Sequence, residues 1–284
     1  YKMSIFPLFE TIPEIKIVDV GAGDFGWDPS YQSLIENDVA SLIGFEPDKE
    51  ACKKLNEKKI NKSSQFYPYF IGDGEIATFY ETNWAATGSL FPPNTPLLEK
   101  FQNLSELVAP VKQHEVKTIR LDDIPEIERI DFLKMDIQGS ELSALSNATN
   151  HLKSTLVVQA EVEFVELYKG QPLFSDVDKF LRSQGFQFHC FTGGLLGRTF
   201  KPLVANNEIN KKINQNLWSD AIYVKDWMIL EKLSENQLII YATLANEVLK
   251  SPDLAHLVIQ QIDKLKNSKY ADAFLESLIE KPEK

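Results

Sequence analysis

A strand that runs straight into a glycine-rich turn constrains this chain more than any other feature. Lys16-Ile17-Val18-Asp19-Val20 is an apolar run of β type, and Gly21-Ala22-Gly23-Asp24-Phe25-Gly26 follows it directly. The pattern is Gly-x-Gly-x-x-Gly, and it precedes a predicted helix over Pro29–Glu36, with Asp28 as N-cap and Pro29 in the first turn. Glycines at such a turn let the backbone approach a ligand where a Cβ would collide. The next strand, Ala40–Phe45, ends at Glu46, 25 residues beyond Gly21. A carboxylate there is acceptor-only and reaches both hydroxyls of a ribose. Together these elements point to an adenosine-bearing cofactor at the carboxyl ends of the strands. The pattern alone does not separate a dinucleotide from S-adenosylmethionine, and a plain tight turn beside a solvated glutamate is the bland alternative.

The alternation continues. Glu50–Lys59 reads as an exposed helix. Phe66–Ile71 and Ala77–Glu81 read as strands around the Gly72-Asp73-Gly74 turn, and Val116–Leu121 and Phe132–Met135 as further strands. A helix over Glu141–Leu152, a strand over Thr155–Ala160, a helix over Asp176–Ser183 closed by Gly185, and strands at Phe186–Phe191 and Asp220–Val224 complete the unit. Such alternation means an α/β fold, Rossmann-like, with a doubly wound and mostly parallel sheet. After Asp226 glycine disappears and helical spacing takes over. Ser234 and Gln237 form a capping box, and Ser251-Pro252 opens another helix. The expected division is therefore a domain over 1–226 and a helical C-terminal extension over 227–284, packed on the core or used for homo-oligomer formation.

Charge and composition remove other classes. The net charge of −11 repels a phosphate backbone, so general nucleic-acid binding is not expected. No apolar run is long enough to span a bilayer. The two cysteines, Cys52 and Cys190, are far apart and form no Cys/His cluster, which fits a reducing, cytoplasmic setting and no structural zinc. Hydride transfer is disfavoured because the chain has no Tyr-x-x-x-Lys pair and no histidine in an active-site motif.

A second constellation is Asp131-Phe132-Leu133-Lys134-Met135-Asp136-Ile137-Gln138-Gly139-Ser140-Glu141. Asp136 stands where a buried strand ends, and Gly139 gives the exit into the helix containing Glu141. The bland reading makes these acids complements of the helix dipole. The following strand ends Gln159-Ala160-Glu161-Val162-Glu163, so adjacent strands place Asp136 and either Glu161 or Glu163 on one rim. Carboxylates converging there suit hydroxyl binding, proton abstraction or a divalent ion, although no metal-ligand spacing is present.

Val18–Ala22, Gly44-Phe45-Glu46-Pro47 and above all Ile130–Glu141 resemble the FkbM family of S-adenosylmethionine-dependent methyltransferases. The likeness runs over about residues 15–225 and includes Val116–Ile124, the Gly72-Asp73-Gly74 turn and Thr87-Gly88-Ser89-Leu90. It implies a class I methyltransferase fold, S-adenosylmethionine as cofactor, and O-methylation of a sugar, glycan or secondary metabolite. Asp19, Gly21, Ala22, Gly23, Gly26, Glu46 and Pro47 are then the cofactor residues, with Asp73 directed at the adenine amine. Asp136 and Glu161 are the catalytic candidates. The family usually carries Glu where this chain has Gln138, and Gly-Ala-Asn-x-Gly where it has Gly21–Gly26. Competing readings are a scaffold that has lost activity and, behind it, a dinucleotide oxidoreductase.

The acceptor side falls on loops beyond strand ends, 83–96 and the stretch after Phe191. Trp84, Phe91 and Trp218 are aromatic candidates for stacking on a flat substrate face. Ser89, Gln138, Glu163 and Arg198 are the polar candidates for substrate binding.

Overall fold

A computed structural model describes residues 4–24, 26, 28–58 and 63–278. The chain alternates strands and helices in the predicted order. The strands are β1 (Ile15–Val20), β2 (Ala40–Phe45), β3 (Ser64–Tyr67), β4 (Phe70–Ile71), β5 (Ile76–Thr82), β6 (Pro110–Ile119), β7 (Phe132–Met135), β8 (Val157–Glu163), β9 (Phe186–Leu196) and β10 (Trp218–Lys225). The helices are α1 (Gln32–Glu36), α2 (Lys49–Lys58), α3 (Thr95–Leu98), α4 (Leu104–Leu107), α5 (Glu141–Ser146), α6 (Thr149–Leu152), α7 (Phe174–Ser183), α8 (Glu235–Thr243), α9 (Pro252–Lys266) and α10 (Tyr270–Leu278).

Seven strands form one sheet in the order β3-β2-β1-β7-β8-β10-β9. The first five run parallel, and β10 runs antiparallel to both β8 and β9. The order reverses between β1 and β7, and ligands of open α/β sheets bind at such a switch point, outside the strands' carboxyl ends. Strands β1, β7 and β8 are buried on both faces, which explains their near-continuous apolar sequence. One face is covered by α1, α2 and the C-terminal helices α8–α10, which bury Leu238, Tyr241, Val258, Ile262 and Phe274 against Ile17, Phe132 and Val224. The opposite face is covered by α5–α7 through Leu145, Leu152, Val177 and Leu181. The C-terminal helices thus share a core with the sheet. A five-residue π turn, Leu244–Val248, lies between α8 and α9.

Several elements differ from their predicted extents, each for a local reason. Helix α1 begins at Gln32, not Pro29, and Asp28 does not cap it. Ser30 and Tyr31 are instead anchored sideways, the Ser30 hydroxyl to Gln159 Oε1 at 2.8 Å and the Tyr31 hydroxyl to Asp19 Oδ2 at 2.6 Å. Pro68 has no N–H to give a ladder and separates the predicted strand Phe66–Ile71 into β3 and β4. Strand β4 then joins β5 and β6 in a separate three-stranded sheet. The predicted helix Glu141–Leu152 breaks after Ser146, because Asp122 accepts from the Asn150 and His151 N–H groups at 3.0 and 3.2 Å and starts α6 afresh. Phe25, Trp27 and the predicted helix end Lys59 lie outside the described residues.

Candidate active site

The glycine turn is bound to its neighbours by backbone geometry. Gly21 has φ +85°, and a Cβ there would lie 2.0 Å from the Asp136 carbonyl oxygen. Only glycine lets β1 and β7 end side by side at this distance. The Gly21 and Ala22 N–H groups both donate to the Phe45 carbonyl at 3.0 Å, which brings Glu46 beside the turn. Gly26 has φ +89° with open space around its Cβ position. Glu46 is half-buried and Oε1 accepts from Asp48 N at 2.9 Å; burial raises its pKa despite that bond. Pro47 follows it, half-buried. Asp73 is exposed in the turn between β4 and β5, where Oδ1 accepts from Glu75 N at 2.9 Å and the Thr118 hydroxyl at 3.2 Å.

One rung across the sheet is polar. Asp19, Lys134 and Gln159 are paired in register on β1, β7 and β8. Asp19 is buried, with Lys134 Nζ at 3.0 Å from Oδ1 and the Tyr31 hydroxyl on Oδ2, so both oxygens are occupied within the protein. Burial alone would lower the Lys134 pKa, but Asp19, Asp136 and Asp220 together hold it above the usual lysine range. Gln159 Nε2 donates to Asp220 Oδ2 at 3.1 Å.

Above that rung the carboxylates converge. Gln138 Nε2 donates to Asp136 Oδ1 at 2.8 Å and also to Glu161 Oε2, so a single amide bridges the two acids. The Gln138 Oε1 atom accepts from the Tyr168 hydroxyl at 3.0 Å. Gln138 itself has φ +54°, a left-handed conformation that turns its side chain back over the strand end. Burial pushes Glu161 well above the ordinary carboxylate range, and Asp136, Glu163, Glu141 and Asp220 push it further. Glu163 is raised chiefly by burial, then by Glu141, with the Gln171 amide opposing. Burial also raises Glu141, to about 7, although its carboxylate accepts from Ile137 N at 2.7 Å and Gly139 N at 2.9 Å. Among the described residues no group of three or more His, Cys, Asp or Glu side chains is arranged to hold a metal ion.

The segment 83–108 closes over this rim. Phe91, Leu98, Phe101, Leu104 and Val108 pack with Tyr168, Leu217 and Trp218 into a third, smaller core. Two hydrogen bonds fasten it to Gln138 and Tyr168: the Ser89 hydroxyl donates to Gln138 O at 2.6 Å, and the Tyr168 hydroxyl reaches Thr87 O at 2.7 Å. Trp84 is 40% exposed, and its backbone oxygen accepts from the Thr82 and Thr87 hydroxyls. Arg198 lies over the Trp218 ring at 5.1 Å, and its Nη1 donates to Gly197 O and Asn210 O at 2.9 and 3.0 Å. Trp218 in turn is paired with Glu163 across β8 and β10.

The model of the Methyltransferase FkbM domain matches residues 19–188, more than half of the chain, from β1 into β9. The chain belongs to the FkbM methyltransferase family. Among solved structures, the magnesium protoporphyrin IX methyltransferase of Synechocystis PCC 6803, with bound SAM, is similar at 11% identity. The TM-score is 0.39 over 75% of this chain and 71% of that one. A TehB-like SAM-dependent methyltransferase from Corynebacterium glutamicum is similar at 9% identity, with TM-score 0.36 over 76% of this chain and 83% of that one. The N-terminal domain of EvdMO1 with SAH bound is similar at 7% identity, with TM-score 0.34 over 75% and 74%. Among proteins with curated descriptions, none matches the sequence.

The structure of this FkbM-family chain brings Asp136, Gln138, Glu161 and Glu163 to one rim, with Ser89 bonded to the Gln138 carbonyl, and sets Glu46 beside the glycine turn. Three members of the site carry no motif signal: Asp220, Tyr168 and Gln171. Asp220 reaches the rim only because β10 inserts antiparallel beside β8, where it is paired with Glu161. The sole sequence signal for Tyr168 is its place soon after the acid-bearing strand.

Proposed function

We propose that this protein transfers a methyl group from S-adenosylmethionine to a hydroxyl of a sugar, glycan or secondary metabolite. The single observation that carries the reading is the Asp136–Gln138–Glu161 cluster beside the glycine turn at the carboxyl end of the sheet. The surrounding residues fit the cofactor. Glu46 offers a carboxylate for the ribose diol, Gly21, Ala22 and Gly23 form a corner for the methionine end, and the acids favour a cation nearby. Asp73 is the remaining candidate for the adenine amine.

When bound, S-adenosylmethionine supplies an electrophilic methyl group. The chain's own work is alignment, enclosure and proton handling. Holding two reactants in register is worth about 7–11 kcal/mol of barrier. Asp136 orients the acceptor hydroxyl, and Glu161 takes up its proton as the new C–O bond forms. An ordinary carboxylate with a pKa of about 4 is a poor base for an alcohol, and burial makes Glu161 a better one. Gln138 holds the two acids at a fixed spacing, and the Tyr168 hydroxyl fixes the Gln138 amide. The lid segment with Trp84, Phe91 and Ser89 forms the acceptor side together with Glu163 and Arg198. Cys52 and Cys190 are free thiols, which suits a cytoplasmic enzyme. No helix among the described residues is long and apolar enough to cross a membrane.

The test is methyl transfer from labelled S-adenosylmethionine to a panel of glycans and hydroxylated metabolites, with and without EDTA. Glu161→Gln is expected to bind S-adenosylhomocysteine as the parent does and to lose turnover. Turnover equal to the parent's would refute the assignment of the base.

A further inference from the structure

A cavity of about 310 Å³ opens among Glu14, Lys16, Ser41, Glu126 and Arg129 at the amino end of β1, away from the Asp136–Glu161 rim. A smaller one, about 150 Å³, is lined by Ser30, Gln159, Cys190, Phe191, Thr192, Ile222, Val248 and Leu249. Its floor is a single rung of the sheet, because Gln159 on β8 pairs with Ile222 on β10, and Ile222 with Cys190 on β9. Two residues further along β8 is the rung Glu161–Asp220–Thr192. Side chains two residues apart share a face and stand about 7 Å apart along the strand. The cavity is therefore directly below Glu161, on the same face, and Gln159 joins the two levels through its bond to Asp220.

The lining is two-sided. Gln159, Ser30 and Thr192 offer amide and hydroxyl groups, and Asp220 stands one rung above the floor. Ile222, Phe191, Val248 and Leu249 are apolar. Val248 and Leu249 end the π turn, which is fastened in place: Glu247 Oε1 accepts from Ile5 N at 2.6 Å and from Asn246 Nδ2 at 3.0 Å, and Glu247 O accepts from the Ser33 hydroxyl at 3.5 Å. Single π turns inside helices occur frequently at functional sites. Cys190, Ile222, Val248 and Leu249 also fall outside the segment matched by the family model.

We infer that this cavity is a second acceptor subsite, distinct from the side formed by the lid segment, and that it takes one six-membered ring with hydroxyls along one edge and an apolar opposite edge. The proposal rests on the methyltransferase reading and adds the class of acceptor. A cavity of about 150 Å³ holds one benzene-sized ring. The hydroxylated edge meets Gln159, Ser30 and Asp220 and points one hydroxyl up to Glu161; the apolar edge rests on Val248 and Leu249. The C-terminal helices thereby contribute specificity to a site whose catalytic residues belong to the family domain.

The test uses trans-1,2-cyclohexanediol as a probe of that shape and myo-inositol, hydroxylated all round, as its counterpart. Saturation-transfer NMR is run on the full chain with S-adenosylhomocysteine present. The expected result is transfer to the diol's ring protons, at least tenfold weaker transfer to myo-inositol, and loss of the diol signal in Leu249→Trp and in Thr192→Trp. Both variants place an indole in the cavity at residues that are not fully buried. Calorimetry with S-adenosylhomocysteine is expected to give all three proteins the same affinity within about threefold. A diol signal unchanged in both variants, or equal transfer to myo-inositol, overturns the subsite. A parent chain that takes the diol but not S-adenosylhomocysteine keeps the subsite and overturns the cofactor assignment.

Discussion

Replacing Gln138 with glutamate, the residue the family usually carries there, tests how the acid cluster is held. The Gln138 amide donates two hydrogen bonds to carboxylates, one each to Asp136 and Glu161. Hydrogen bonds to charged groups contribute about 1.5–3 kcal/mol each. A carboxylate at this position has no donor at all and repels each neighbour by about 4 kcal/mol, for charges about 4 Å apart at an effective dielectric constant of about 20. Keeping it protonated at pH 7 instead costs about 3.7 kcal/mol against an ordinary glutamate pKa of about 4.3. Two repulsions outweigh one protonation, so the variant folds with an extra proton. That proton restores one of the two bonds, so at pH 6 the variant loses about 1.5–3 kcal/mol for the other bond and about 2.3 kcal/mol for protonating a glutamate of ordinary pKa about 4.3. Its folded state binds more protons than its unfolded state from the unfolded pKa up to the raised folded one. Stability therefore falls as pH rises through that window, by up to about 1.4 kcal/mol per pH unit. Urea unfolding of parent and Gln138→Glu at pH 6 and pH 8.5 reads this directly. The difference between the two proteins is expected to be larger at pH 8.5. An equal difference at both values, or none, refutes the bridge.

Three further outcomes follow from the same geometry. Gly21→Ala places a Cβ 2.0 Å from the Asp136 carbonyl in a left-handed conformation, so a thermal melt should show a large loss of stability and calorimetry no S-adenosylhomocysteine binding. Tyr168→Phe removes the hydroxyl that reaches Thr87 O and Gln138 Oε1; turnover should fall while cofactor affinity, read by calorimetry, stays the same, and a loss of about 1–3 kcal/mol of stability in urea is expected. Because the Glu161 carboxyl is held well above its ordinary pKa, the base form appears only as pH rises. The kcat/KM profile should climb through a limb displaced upward from the usual carboxylate range, and Glu161→Gln should flatten what activity remains.

The parts of the site legible in the sequence are those carried by contiguous segments. The β1–glycine turn, Glu46 at the end of β2 and the Asp136–Glu141 exit each lie within a few residues, where strand end and turn chemistry are local. Across the sheet, the meeting of Asp136 with Glu161 was legible because β7 and β8 are consecutive and paired, but the other contacts were not. Asp220 joins the acids through antiparallel insertion of β10, and no short pattern encodes a strand's neighbour. The break before α6 depends on Asp122, 28 residues before Asn150, acting as a distant cap. The late start of α1 has the same origin, since Ser30 and Tyr31 are held by partners on β8 and β1 rather than by the helix. Lys134 sits in the recognised motif, yet its partner Asp19 is 115 residues away, and only the parallel register of β1 and β7 brings them together.

Titration calorimetry of S-adenosylhomocysteine into the parent chain and Glu46→Ala tests the central claim most directly. The account predicts binding to the parent and a loss of about 1.5–3 kcal/mol in the variant, the scale of one charged hydrogen-bonding group at the ribose. Tight binding of NAD with no uptake of S-adenosylhomocysteine would contradict it.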